Sequence, residues 1–185
     1  MMDGVTMNGP SAEPTPAAVF IPFHRTPAGE LRVVLIKRTP FGAHGGEIAL
    51  PGGKYEPEDA DMRDTAVRET CEELGLEPDV LTVLEDLPPL ETFSTGFKVW
   101  PFVGRLHQVP DRWQPQQREV EQVLDLAVED LVDPAARGTQ EMDLGRWGRA
   151  VQVPVWRVEG HVIWGLTLRI LEPVLPRALD GEYPV

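Results

Sequence analysis

The segment GGKYEPEDADMRDTAVRETCEELG, residues 52–75, opens with a glycine pair and closes with three crowded glutamates, Glu69, Glu72 and Glu73. Its second half is the strongest helix candidate in the chain. A helix is predicted over residues 64–74, because the glycine that follows is a favoured C-terminal cap. Glutamates three or four residues apart lie close together on a helix and repel one another. So dense an acidic group therefore needs a physical explanation.

Helical spacing places Val67, Cys71 and Leu74 on one side of this helix and the three glutamates on the other. The helix is expected to bury the apolar side and to present a carboxylate face. A solvated acidic surface is the commonest explanation of such a charge run. The other explanation is a half-cage for Mg²⁺ or Mn²⁺, since these cations bind carboxylate, carbonyl and phosphate oxygens. Gly53 would let a main-chain carbonyl approach the same ion.

The composition narrows the class of protein. The chain has 185 residues, of which 42% are hydrophobic, and this size fits one domain with its own core. Its net charge of −13 argues against binding to nucleic acid or to an anionic membrane by electrostatic attraction. A phosphate-bearing substrate would therefore need a metal cation as a bridge.

The same data give expectations for localisation and assembly. The single cysteine cannot form an internal disulfide, and no apolar run is long enough to span a bilayer. Residues 1–16 lack the features of a secretory signal and are rich in Pro, Gly, Ser and Asn, which predicts a disordered tail. A cytoplasmic protein is expected, with its folded domain over residues 17–180. A homodimer is expected as well, because homodimers are the commonest assemblies.

Apolar and β-branched runs, separated by segments that contain Pro and Gly, predict strands before and after the helix. The segment VEDLVDP predicts a short helix that Pro134 stops. A last helix is expected from near Trp164, with Pro173 and Pro176 kinking or ending it. This order of elements predicts one α/β or α+β domain in which helices cover a mixed sheet. The predicted strands are residues 17–23, 31–38, 45–53, 80–84, 97–106, 120–126 and 151–158.

The end of the opening segment, RETCEELGL (Arg68–Leu76), resembles the signature of the Nudix hydrolases. That signature has a glycine, a spacer with an acid, Arg-Glu, an apolar residue, any residue, Glu-Glu, any residue, Gly and an apolar residue. Here Thr70 takes the apolar position, and Asp59 stands six places after Gly53, where glutamate is usual. The resemblance implies the Nudix fold, a mixed sheet between helices. It also implies hydrolysis of a nucleoside diphosphate linked to another group, X.

The same resemblance implies how such a site works. Water is the nucleophile, and Mg²⁺ or Mn²⁺ neutralises the pyrophosphate. Arg68 is expected to be structural and to pair with an acid such as Glu56, Glu58 or Asp59. The metal ligands are expected to be Glu69, Glu72, Glu73 and the carbonyl of Gly53.

The sequence leaves the general base open. Glu69 is one candidate, and the segment REVEQVLDL supplies Glu119 and Glu121 as two more. The family often draws an extra glutamate from such a loop, so Glu119 is preferred there, its alternative being a solvent-facing acid. The catalytic residues are accordingly predicted to be Glu69, Glu72 and Glu119.

Segments outside the signature resemble one subfamily, the coenzyme A diphosphatases. VVLIKRT (33–39) followed by GGEIALPGGK (45–54) is similar to the segment that precedes the signature there. STGFKVWPFVG (94–104) and VIWGLTLRIL (162–171) are similar to a later strand and to the start of the C-terminal helix. The resemblance implies that the substrate is coenzyme A or an acyl derivative, cut to a phosphopantetheine and an adenosine bisphosphate.

Three residues are expected to contact that substrate: Arg38, His44 and Lys54. The chain departs from the subfamily at Thr39, where serine is usual, and at Leu50, where phenylalanine is usual. The spacer before the glycine pair is also about two residues short, with His44 near the position of an expected arginine.

Other functions are open at this stage. The same chemistry could act on ADP-ribose, a dinucleotide or a nucleoside triphosphate. The fold could also serve as a non-catalytic nucleotide sensor or as a purely structural acidic domain. The intact glutamate triple argues against the sensor, because a domain that only binds a nucleotide does not need three metal ligands and a base.

Overall fold

The computed structural model describes residues 13–41, 44–92, 96–142 and 150–185. The strands of the larger sheet are β1 (Thr15–Arg25), β2 (Leu31–Arg38), β3 (Ile48–Ala49), β4 (Gly52–Lys54), β5 (Leu81–Asp86), β6 (Leu90–Glu91), β7 (Phe97–Leu106) and β8 (Val120–Ala127). A smaller sheet contains β9 (Arg137–Met142), β10 (Val151–Val158) and β11 (His161–Trp164). The helices are α1 (Met62–Leu74), α2 (Val128–Val132) and α3 (Gly165–Leu179).

The larger sheet is mixed, as predicted. Its main path is β3-β2-β1-β7-β5, in which β1 and β7 are parallel and the other pairs are antiparallel. β4 pairs with β1, and this pairing sets Gly52 opposite Val19 and Gly53 opposite Ala18. Gly52 has a φ of 149°, and a Cβ there would collide with the Ala18 carbonyl, so only glycine fits. The glycine pair is therefore held rigidly within the sheet.

Two hydrophobic cores lie on opposite faces of this sheet. On one face, helices α2 and α3 pack against side chains such as Ile21 and Leu35. On the other face, α1 packs against side chains such as Phe20 and Ile36. Neighbouring residues of β1 and β2 thus serve opposite cores, as the alternation of side chains along a strand requires. Each large apolar side chain buried in this way stabilises the fold by roughly 1.5–3 kcal/mol, and the predicted helix-covered sheet is confirmed.

Helix α1 ends where the sequence predicts, with Gly75 as a left-handed cap at a φ of 68° whose N–H donates to the Cys71 carbonyl. It begins two residues early, because the Asp61 side chain accepts hydrogen bonds from two N–H groups of the first turn. Glu73 does not belong to a solvated acidic face, which is one of the two explanations of the charge run, since its side chain is buried at 1% exposure. It turns toward β4, which helical spacing alone does not locate.

Helix α3 passes through Pro173 and Pro176, so the expected end of the helix at these prolines is wrong. Leu171, Val174 and Leu175 are buried on the same helix. Their burial offsets the main-chain hydrogen bond that each proline removes.

The predicted strand over residues 45–53 divides into β3 and β4, because β3 pairs with β2 while β4 pairs with β1. β10 has the predicted bounds, whereas β9 and β11 are additional strands. β9 escapes prediction since its RGTQEM sequence has no apolar run, and none of its residues is fully buried.

Two predicted features lie partly outside the residues that the structure describes. Residues 1–12 of the expected tail, and Ser94 and Thr95 of the later strand match, lie outside the described residues. Within the part of the chain that the structure describes, no helix is long and apolar enough to cross a membrane. The expected homodimer, cytoplasmic location and bounds of the folded domain stay predictions.

Candidate active site

A buried ion pair fixes the loop between β4 and α1. Asp59 is 5% exposed, and Arg68 donates to it from Nε to Oδ1 (2.7 Å) and from Nη2 to Oδ2 (3.0 Å). The Thr65 hydroxyl and the Glu56 N–H also donate to Oδ2. The Arg68 hydrogen bond holds the pKa of Asp59 well below its usual range, although burial acts in the opposite direction. Asp59 is thus the partner of Arg68 among the three predicted acids.

Glu73 is the most deeply buried carboxylate of the helix. Its Oε2 accepts a hydrogen bond of 2.8 Å from the Gly52 N–H, while its Oε1 is buried without a hydrogen-bond partner. Burial raises the pKa of Glu73 to about 8. A buried, unpaired carboxylate oxygen is costly unless a cation or a hydrogen-bond donor meets it.

Glu69 lies directly against Gly53. A Cβ on Gly53 would collide with the Glu69 carboxyl group, so the glycine is what allows this close approach. Burial raises the pKa of Glu69; Arg68 opposes the shift, and Glu72 and Glu119 add to it. The glycine pair therefore contacts two glutamates, Gly52 at Glu73 and Gly53 at Glu69.

Glu72 is more open than its neighbours. Its side chain is 50% exposed, and its Oε1 lies 3.5 Å from Nη1 of Arg68. The same guanidinium donates to Oε1 of Glu69 at 3.1 Å. Arg68 thus links the loop acid to the first two glutamates of the helix and orients them.

Glu119 approaches the helix from the start of β8. Its carbonyl accepts a hydrogen bond from the Thr39 N–H, and the nearby Gln116 N–H donates to the Glu73 carbonyl. The negative charge of Glu119 contributes to raising the pKa values of both Glu69 and Glu73, so the three carboxylates share one electrostatic environment. Glu69, Glu73 and Glu119 are called the carboxylate cluster below.

Arg38 is the cation that faces two members of this cluster. Its Nη1 lies 3.9 Å from Oε1 of Glu73, and its Nη2 lies 4.0 Å from Oε2 of Glu119. Both distances exceed hydrogen-bond length, and the side chain is 34% exposed. The guanidinium can therefore turn toward an anionic ligand without breaking a short hydrogen bond to either glutamate.

The other predicted contacts lie apart from the cluster. His44 Nδ1 pairs with Glu47 at 3.1 Å, and the Lys54 ammonium lies over the Phe97 ring. Glu121 binds Lys37 at 2.7 Å on the α3 side of the sheet, so the structure does not support it as a base. The sequence alone does not identify the Gly52 N–H as a hydrogen-bond donor to Glu73. The position of Gly52 in the glycine pair is the one sequence signal for this role.

The cluster has the chemistry of a site for a hard divalent cation. Its donors are carboxylate oxygens, and Oε1 of Glu73 is buried without a hydrogen-bond donor, with Nη1 of Arg38 at 3.9 Å. A divalent cation at this oxygen would favour the ionised form of Glu73, which burial otherwise disfavours. Among the described residues, no three His, Cys, Asp or Glu side chains are close enough together to hold a metal ion by themselves. Mg²⁺ or Mn²⁺ would take its remaining ligands from carbonyl, water and substrate phosphate oxygens, as these ions usually do.

Comparisons with known proteins identify the family. The family model described as the NUDIX domain matches residues 14–144. Nudix hydrolase 22, chloroplastic, from Arabidopsis thaliana is 38% identical over 85% of this chain and 53% of its own length. An uncharacterized Nudix hydrolase, NudL, from Pectobacterium atrosepticum is 31% identical over 89% of this chain and 83% of its own length. The chain therefore belongs to the Nudix family.

A solved structure supports the fold. A Nudix hydrolase from M. smegmatis, RenU, superposes with a TM-score of 0.62 at 18% identity, over 92% of this chain and 88% of the other. Identity this low bears on the fold alone. The chain spans 53% and 57% of the lengths of two Arabidopsis relatives.

Proposed function

We propose that this chain is a metal-dependent pyrophosphohydrolase that cleaves a nucleoside diphosphate linked to another group, with coenzyme A or an acyl derivative as its substrate. One observation carries the proposal. Glu69 and Glu73 of α1 contact the glycine pair, Arg38 lies within 4.0 Å of both Glu73 and Glu119, and Oε1 of Glu73 is buried without a hydrogen-bond donor.

We propose Mg²⁺ or Mn²⁺ as the cofactor, with Glu69, Glu72, Glu73 and the carbonyl of Gly53 as its protein ligands. Water and substrate phosphate oxygens would complete the ligand set, since no three described acidic side chains would hold the ion by themselves. A cation bound there would neutralise pyrophosphate charge and make water more acidic. Supporting evidence comes from Arg68, which orients Glu69 and Glu72, and from the close packing of Glu69 against Gly53. Carboxylates that repel one another persist in a fold when a ligand compensates their charge.

Glu119 is proposed as the general base and Glu69 as the alternative. The Glu119 side chain is 48% exposed, so water and substrate can reach its carboxylate. In the reaction, water adds to one phosphorus of the pyrophosphate, the bond to the bridging oxygen breaks, and the base accepts the proton of water. Arg38, between Glu73 and Glu119, would donate hydrogen bonds to phosphate oxygens.

The segments that flank the signature support coenzyme A as the substrate. They cover β2, β3, β4, β7 and the start of α3, and so extend well beyond the glutamate helix. Arg38, the last residue of β2, supplies the guanidinium that faces Glu73 and Glu119 of the cluster. The proposed products are phosphopantetheine and adenosine bisphosphate.

Purified protein incubated with Mg²⁺ or Mn²⁺ tests this assignment. The panel comprises coenzyme A, dephospho-coenzyme A, ADP-ribose, a dinucleotide and the nucleoside triphosphates, with products identified by mass. Fastest cleavage of coenzyme A at its pyrophosphate supports the proposal. Preferential cleavage of another nucleotide would support the same reaction with a different group X. Nucleotide binding without turnover would favour a sensor, and neither metal nor nucleotide binding would favour a structural acidic domain.

A further inference from the structure

A cleft of about 430 Å³ opens on the α3 side of the sheet, separate from the carboxylate cluster. It lies where the end of β2 and the start of β3 meet the smaller sheet. Ile48, Met142, Val162 and Trp164 supply apolar lining, and Lys37 and His161 add polar groups. This volume and this mixture of apolar and polar groups are typical of small-molecule sites.

The cleft adjoins the carboxylate cluster through β2. Lys37 lines the cleft, and the next residue, Arg38, faces Glu73 on the α1 side. Lys37 pairs with Gln122 and Arg38 pairs with Val120, so β2 has a bulge between these two residues. The Arg38 N–H also donates to the carbonyl of Glu47, which lines the cleft. Two consecutive residues at the end of β2 therefore contact the cleft and the cluster, respectively.

The charges around the cleft favour an uncharged ligand. The Lys37 ammonium is neutralised by Glu121 at 2.7 Å, and the Glu47 carboxylate pairs with His44 at 3.1 Å. A phosphate placed here would lie near the carboxylates of Glu47 and Glu121, and the Lys37 ammonium is already paired with Glu121. An arm of alkyl and amide groups would instead pack on Trp164 and Val162 and hydrogen-bond with the polar groups of the lining.

Part of the cleft lies beyond the region shared by the whole family. The family model ends at residue 144, whereas His161, Val162 and Trp164 belong to β11. The carboxylate cluster, by contrast, lies entirely within residues 14–144. The cleft is therefore suited to distinguish one substrate of the family from another, while the cluster performs the chemistry they share.

We propose that this cleft binds the uncharged, amide-bearing arm of group X, exemplified by pantetheine, while the pyrophosphate lies at the carboxylate cluster. This rests on the proposed function and adds to it the place where the pantetheine arm of the substrate binds. The cleft sets affinity for the arm, and its residues take no part in bond cleavage.

The test combines binding and kinetics. Val162→Trp fills the cleft, and Gln152→Trp is the matched control, since Gln152 is exposed and opposite Glu141 rather than beside the lining residues of β9. Binding of pantetheine is measured by calorimetry, and kcat and KM are measured for coenzyme A and for ADP-ribose. Thermal unfolding checks each variant, and Met142→Trp replaces Val162→Trp should the latter not fold.

Wild-type protein and Gln152→Trp are expected to bind pantetheine, and Val162→Trp is not. In Val162→Trp, the KM for coenzyme A is expected to rise by about tenfold or more, with kcat and the kinetics of ADP-ribose unchanged. The inference is overturned if pantetheine does not bind wild-type protein, or if filling the cleft changes neither binding nor KM. Absence of any nucleotide turnover would contradict the proposed function instead, and the binding of pantetheine would still decide the role of the cleft.

Discussion

The Glu73 carboxylate accepts a hydrogen bond of 2.8 Å from the N–H of Gly52, a residue 21 positions earlier in the chain. The bond holds one oxygen against β4, while the other is buried without a hydrogen-bond donor and has the Arg38 guanidinium at 3.9 Å. Helix α1 and the glycine pair are thereby joined through Glu73. Burial of an ionisable carboxyl group in this position lowers the stability of the fold, and such a cost is typical of functional sites.

Glu73→Gln should therefore stabilise the fold and abolish function. The amide oxygen can still accept from the Gly52 N–H, while the cost of burying an ionisable carboxyl group is removed. Burial raises the pKa of Glu73 to about 8, so the folded protein holds this group largely protonated at neutral pH, whereas the unfolded chain ionises it. The free energy of unfolding in urea at neutral pH is expected to rise by about 0.5–2 kcal/mol, and kcat to fall by about 10²–10³. Glu77→Gln, at an exposed residue just beyond the helix, is the control and should change neither quantity. Full activity of Glu73→Gln would refute the role of this carboxylate.

Gly53→Ala should damage catalysis much more than stability. The added Cβ collides with the end of the Glu69 side chain, which can rotate away, so unfolding free energy should change by no more than about 1 kcal/mol. The displaced carboxylate should lower kcat by about 10²-fold. Gly138→Ala is a matched control, because its Cβ collides with the flexible end of Arg157 in the smaller sheet. Equal turnover in the two variants would contradict the prediction.

Asp59→Ala should destabilise the protein strongly. It leaves the Arg68 guanidinium without its buried partner, and loss of one member of such a pair costs about 3–5 kcal/mol. Arg63→Ala is the comparison, because Arg63 pairs with Asp86 on the surface, where an ion pair contributes little to stability. Urea unfolding measures both. Similar losses in the two variants would mean that Asp59 does not hold the loop.

Stability should depend on pH through Asp125, which is remote from the glutamates in sequence. Burial opposes its ionisation, but His24 Nε2 at 2.8 Å and Arg32 Nε at 3.1 Å from Oδ1 lower its pKa below the usual 3.8. A lowered folded-state pKa means that the ionised form adds stability above the usual value. That stability disappears as the pH falls through the lowered value.

Asp125→Asn should accordingly reduce the free energy of unfolding by roughly 1.5–3 kcal/mol at pH 7. The difference from wild type should shrink as the pH falls below 3.8, the usual pKa. Urea unfolding across this range measures it, with the exposed Asp130→Asn as control. A difference that stays constant with pH would show that the charge of Asp125 is not the cause.

The sequence predicts those features that depend on neighbouring residues in the chain. Gly75 ends α1, the apolar runs become the strands of the larger sheet, and Asp59 reaches Arg68 although it is shorter than glutamate. The burial of Glu73 depends on a partner in β4, which no helical pattern contains. Likewise, the path of α3 through Pro173 is decided by packing against the sheet.

The cleft could not be predicted for a similar reason. Its walls come from β2, β3, β9 and β11; β9 has no apolar run that marks it as a strand, and the apolar residues of β11 continue directly into α3. The pairing of Lys37 with Glu121 likewise joins residues far apart in the chain. Such features form between elements that are far apart in the chain, whereas sequence patterns report on residues that are close together in it.

The most direct measurement is the mass of the products formed from coenzyme A by wild-type protein and by Glu72→Gln, each with Mg²⁺ and with a chelator. Glu72 is half exposed, so its substitution should leave the unfolding midpoint unchanged. We expect phosphopantetheine and adenosine bisphosphate from wild-type protein with Mg²⁺, and none from the variant or with chelator. Equal product from folded Glu72→Gln, or from wild-type protein with chelator, would contradict metal-dependent hydrolysis at these glutamates.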